Sequence, residues 1–236
     1  METVAMVDVP KDAVRGFLLR TLDEVSVLAA GVPQMADWRD DPVLDAVLPL
    51  LRTVSTHVEA TRLLASAPVD VATTAPFSVL RAAIESAATV VWLLGPDELV
   101  ERQLRCLRLT LTDREDFERF MARRSKDHPG DIEKFRADIF HFARSLTRNP
   151  DVQVAKIWMA RIFEYVAEVT PGIGDVFGSW QMCSAFAHGR SWSSGLLAPD
   201  AEDGDSERDD VALAFVMVDT RHLIAHAFRL FVDRQS

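Results

Sequence analysis

The stretch PFSVLRAAIESAATVVWLLG, residues 76–95, constrains the fold more than any other part of the chain. Its polar side chains Ser78, Arg81, Glu85 and Thr89 are spaced 3, 4 and 4 apart, which on an α-helix makes one narrow stripe. The remaining surface is apolar, so a helix of this sequence has to be covered nearly all round. Arginine and glutamate are seldom buried unpaired. Arg81 and Glu85 must therefore pair with each other or line an internal polar site. Arginine preceding glutamate is the weaker i,i+4 orientation, which points to additional partners.

The other segments share the helical period, and turn signals separate them. Helices are expected over about Lys11 to Ala30, Pro42 to Ala67, Pro76 to the Gly95-Pro96 break, and Asp97 to Arg124. Further ones follow over about Asp131 to Arg148, Val152 to Val169 and Asp175 to His188, the last closing at Gly189. A final helix starts at the N-cap candidates Asp219-Thr220 and runs to about Asp233. Residues 192–217 read as a small β-hairpin, because SWSSGLLAP and the valine-rich DVALAFVMV flank an acidic segment. The alternative starts the last helix at Asp209 directly. The predicted class is all-α, a bundle of seven to eight helices in one domain over 1–236.

The net charge of −10 is unevenly placed. Residues 200–210, DAEDGDSERDD, hold seven acids and one arginine. This run carries no large apolar residue, so it is expected to be a mobile loop. The rest of the chain is mildly acidic, which argues against general DNA binding and against an anionic membrane surface. The N-terminus lacks a signal-peptide pattern, and 77–94 is interrupted by Arg81 and Glu85. A cytoplasmic setting is expected. Cys106 and Cys183 sit singly in helical patterns, as reduced core thiols would.

Polar residues within apolar helices mark the candidate sites. Phe177, Trp180, Ser184 and His188 form a second 3-4-4 stripe, with Arg190 and Trp192 beyond it. A protonated His188 would be favoured by the helix C-terminus. Arg81, Glu85, Ser184 and His188 are expected to converge on one partly buried site, since each of these helices carries a single polar stripe and buried charges need partners. Arg102 and Arg105, neighbours on the fourth helix, are placed to reach Glu85. His222 and His226 share a face, but two histidines lack the third ligand a zinc site needs. GxSxG, GxGxxG, P-loop and HExxH motifs are absent, so no cofactor or metal is implied.

LRAAIESAATVVWLL, the arginine-rich helix after it, and WQMCSAFAHGRSW together resemble a family of all-helical actinobacterial proteins. That family is similar to the HEPN-like superfamily, and the resemblance runs from about Ala75 to the C-terminus. It implies a helical bundle, a homodimer, RNA or a cognate protein as partner, and a toxin–antitoxin or antiphage setting. Arg221-His222-Leu223-Ile224-Ala225-His226 matches the HEPN pattern of arginine, a polar residue and a following histidine. The resemblance thus implies a metal-independent ribonuclease or an inactive relative. In the active form, His226 would move a proton at a 2′-hydroxyl while Arg221 stabilises phosphate charge. The alternative reading is a non-catalytic module whose polar pocket, lined by Arg81, Glu85, Trp180, Ser184 and His188, binds a small ligand or a partner.

Overall fold

A computed structural model describes residues 11–30, 42–66, 74–124, 131–150, 155–193 and 206–235. Among the described residues the longer helices number eight: α1 (Lys11–Ala30), α2 (Pro42–Ser66), α3 (Ala75–Leu94), α4 (Leu99–Arg124), α5 (Ile132–Leu146), α6 (Met159–Val169), α7 (Val176–Ala187) and α8 (Ser206–Asp233). A short helical turn at 191–193 follows α7, and no strand occurs among the described residues. The all-α helical bundle expected from the periodicity is the architecture found.

The apolar surface of α3 dictates the layout. It packs against α2, α4, α6, α7 and α8. From Phe77 to Leu94 its buried positions include Leu80, Ile84, Val90, Val91, Trp92 and Leu93. Each large apolar side chain taken from water contributes about 1.5–3 kcal/mol, so this helix is the natural centre of the core. By length and hydropathy α3 and the stretch 211–233 pass as membrane-spanning helices, yet 72% and 50% of those windows are covered by the rest of the bundle. α4 also pairs with α5 over a separate small core of Leu104, Leu111, Ile139 and Ala143.

The hairpin expected over 192–217 is not formed, because its second arm, 206–217, is helical. The run DVALAFVMV belongs to α8, which buries Ala212, Leu213, Val216, Met217, Leu223, Ile224, Ala227, Phe228 and Phe231. Those positions recur at helical spacing, so the valine-rich stretch packs as one side of a helix, and its β-branched composition is overridden by that pattern. The second half of the acidic segment, 206–210, is likewise helical. Residues 194–205, with the first half of that segment, lie outside the described residues. The sixth predicted helix starts later than Val152, because Trp158 at its N-cap is extended, with φ −96° and ψ 146°.

The C-terminal end of α3 exposes carbonyls without intrahelical partners, and arginines supply donors. Arg234, just past α8, donates to the carbonyl oxygens of Leu94 and Pro96 at 3.1 and 3.0 Å, and its guanidinium also lies 2.8 Å from Asp97 Oδ1. Arg105 donates to Trp92 O at 2.6 Å and stacks over the Tyr165 ring at 4.2 Å. Arg102 donates to the carbonyls of Pro96 and Asp97. Gly95 is required by closeness: a Cβ there would meet Tyr165 Oη at 2.5 Å and Val91 O at 2.7 Å.

Charge-assisted bonds to carbonyls that would otherwise be orphaned set the size of the effect. Arg234→Ala is expected to cost about 1–2 kcal/mol in urea unfolding, with Arg105→Ala similar. A variant that unfolds at the wild-type midpoint would show that water replaces the clamp at no cost.

Candidate functional site

Two helices carry the site, and local sequence sets each. α7 starts where Asp175 caps it, its carboxylate accepting from Gly178 N at 2.8 Å. It ends in a Schellman turn: Gly189 N donates to Phe186 O at 3.2 Å and Arg190 N to Ala185 O at 2.9 Å. Gly189 takes φ +59° there, a backbone conformation glycine adopts without steric cost. That turn holds His188 at the C-cap. α3 runs antiparallel beside α7. Phe77 stacks on Phe186 with ring centroids 4.1 Å apart, while Arg81 meets His188 and Glu85 meets Trp180.

Arg81 is the hub. Its Nε donates to Glu85 Oε1 at 2.9 Å, and its Nη1 lies 3.0 Å from His188 Nε2. Glu85 Oε1 also accepts from Trp180 Nε1 at 2.7 Å. The Trp180 ring packs against Phe163 and Phe177, with centroids 5.2 and 5.7 Å away. The Arg81 guanidinium carbon sits 5.8 Å from the Trp180 ring centroid. Arg81 and Glu85 keep 28% and 29% of their side-chain surface exposed, and His188 is exposed. The cluster therefore opens to solvent while its inner members are held.

Ser184 lies one turn before His188 and is half-buried. Its carbonyl accepts from His188 N at 3.1 Å, but its hydroxyl makes no hydrogen bond among the described residues. The expected convergence thus brings together Arg81, Glu85 and His188 through their side chains, with Ser184 alongside them. Trp180 proves to be a direct partner of Glu85. The weak orientation of the helical ion pair was the signal for such a further partner.

The remaining candidates lie elsewhere. Arg102 and Arg105 do not reach Glu85: Arg102 is committed to the turn after α3, and Arg105 to the Trp92 carbonyl in the last turn of that helix and to Glu101 at 2.8 Å. The carbonyls at and just beyond the C-terminal end of α3 are the acceptors within their reach. Trp192 is 48% exposed in the short turn after α7. Arg221 pairs with Glu24 of α1 at 3.0 Å. His226 is half-buried, and burial, followed by the nearby Arg229, pushes its pKa below the usual histidine range. Arg221 and His226 make no contact with each other; five residues apart on α8, they diverge by about 140°.

Cys183 is fully buried behind Arg81, and burial pushes its thiol up to about 12. It is a packing residue. Among the described residues no three of His, Cys, Asp or Glu gather as a metal site would require. Compared with known families, curated proteins and solved structures, the chain finds no significant match. The functional reading rests on geometry alone.

Two measurements follow. Because the Arg81–Glu85 pair is partly exposed, Glu85→Ala is expected to cost about 1–2 kcal/mol, below the penalty of a fully buried pair. It should also shift the Trp180 indole N–H resonance by removing its acceptor. An unmoved resonance would deny the Trp180–Glu85 bond. For His226, the native state binds fewer protons than the unfolded state as pH falls through about 6.5. Its contribution is therefore complete above that pH and is lost as pH drops. His226→Gln should flatten the fall in stability between neutral and mildly acidic pH, as followed by thermal melts. An identical pH profile would contradict the burial argument.

Proposed function

We propose that this chain is a non-catalytic binding module whose recognition site is the polar cluster of Arg81, Glu85, Ser184 and His188 between α3 and α7, with Trp180 supporting it. The observation that carries this reading is the Arg81 hub. One guanidinium is fixed by a carboxylate on one side and faces an exposed imidazole 3.0 Å away on the other. Fixing polar groups on two rigid helices lowers the entropy cost of engaging a ligand. A purely structural ion pair needs no exposed histidine at its open end. Arg190 and Trp192, both exposed, follow His188 within four positions of the chain at the turn that ends α7.

A HEPN-like ribonuclease, or an inactive relative in a toxin or antiphage setting, is the second reading. Its support is the half-buried His226, whose environment favours the neutral form a general base needs. The pairing of Arg221 with Glu24 works against it within one chain. In this reading a second copy, in a homodimer, would bring arginine and histidine together on RNA.

Single substitutions separate the two. His188→Ala and Arg81→Gln should abolish capture of a ligand or partner by the full chain and leave any RNA cleavage intact. Arg221→Ala and His226→Ala should do the reverse. RNA cleavage lost in the second pair and unchanged in the first would overturn the binding reading.

A further inference from the structure

We infer that the site between α3 and α7 is built for an oxyanion, a carboxylate or phosphate group carried on a small organic ligand. This deepens the binding reading above and rests on it. The argument begins with hydrogen-bond capacity. A guanidinium has five N–H donors and accepts nothing. Arg81 spends one on Glu85 and one on His188. Because Arg81 can only donate, Nε2 is the accepting nitrogen of His188 in that contact, which leaves Nδ1 as the ring nitrogen free to carry a proton toward a ligand. His188 therefore presents a donor with its second nitrogen.

The other groups add donors. The Ser184 hydroxyl and the exposed Arg190 guanidinium are both uncommitted among the described residues. On the acceptor side, Glu85 Oε1 already takes two bonds, from Arg81 and Trp180. Its second oxygen is the one carboxylate acceptor left over. A surface with donors on Arg81, His188, Ser184 and Arg190 is complementary to a group that only accepts. Ionised carboxylates and phosphates are such groups, and Arg pairs with either in a bidentate fork.

Charge agrees with this count. Counting Arg190, two positions beyond His188 in the chain, together with Arg81 against Glu85 leaves one net positive charge. The C-terminal end of α7 offsets about half a charge of that. The remainder is still positive, in a chain whose net charge is −10. A cationic ligand would face two arginines with half a carboxylate to hold it. Trp192, 48% exposed two positions after Arg190 in the chain, offers a flat apolar surface suited to the organic part of the ligand.

The test is a titration of the isotope-labelled full chain at constant ionic strength, following the Trp180 indole and Arg81 Nε–H signals. The probes are phenylphosphate, benzoate, benzamide and benzamidine. One or both anions should move these signals, with the tighter of the two naming the source of the charge. Arg81→Gln and Arg190→Gln should each weaken that probe at least tenfold, a loss of about 1.4 kcal/mol. Arg190 is exposed, so its variant keeps the fold and guards against misreading an unfolded Arg81→Gln. Arg221→Gln should leave affinity unchanged. Benzamide or benzamidine moving the signals as strongly as the anions would overturn the oxyanion inference and leave the binding reading standing. Silence from all four probes also overturns the oxyanion inference. The binding reading itself falls only if His188→Ala and Arg81→Gln leave partner capture unchanged as well.

Discussion

The burial of α3 is the constraint on which the rest of this structure depends. A helix whose sides are nearly all apolar can exist in water only inside a shell of other helices, and α2, α4, α6, α7 and α8 supply that shell. The cost of this arrangement is concentrated where polar groups cannot be avoided. One such place is the C-terminal end of α3, where backbone carbonyls face the protein instead of water. Arginines from α4 and from beyond α8 close that end. The other place is the polar stripe, where Arg81 and Glu85 break the apolar surface.

These two places were solved differently, and the difference bears on function. At the end of α3 the arginines are consumed by carbonyls and aromatic faces, so their charge serves the fold. Along the stripe the charges are only partly covered. Arg81 and Glu85 neutralise each other, Trp180 takes up the remaining lone pair of one carboxylate oxygen, and an exposed histidine completes the line. Burying the stripe fully would have been met as well by apolar side chains of similar volume, since buried ion pairs contribute little net stability. A half-open cluster that keeps donors uncommitted is harder to explain as packing.

The same comparison separates the two functional readings. Arg221 and His226 sit on one helix, point apart, and Arg221 already has a carboxylate partner on α1. Arg81 and His188 come from two helices 107 positions apart in the chain and meet at 3.0 Å. Tertiary contact between distant polar residues requires the fold to hold them together, whereas a short sequence spacing on one helix arises readily without it.

Much of this was legible in the sequence. The periodicity and the Gly and Pro punctuation set the helices. The 3-4-4 stripes placed Arg81, Glu85 and His188 on helix faces that had to find partners, because local spacing alone decides which residues share a face of a helix. Gly189 marked the end of α7 for the same local reason. Other features depended on contacts that no local pattern contains. The valine-rich run 210–218 was ambiguous because strand and helix periods are poorly separated over so few residues, and packing of α8 against α1, α3 and α7 made it helical. Arg102 and Arg105 pointed to Glu85 as plausibly as to any carboxylate. Only the assembled bundle set the carbonyls of α3 within their reach. The antiparallel register of α3 on α7, which joins Arg81 to His188 and Glu85 to Trp180, was likewise decided in three dimensions, because it follows from how two apolar surfaces interlock rather than from the order of residues along either helix.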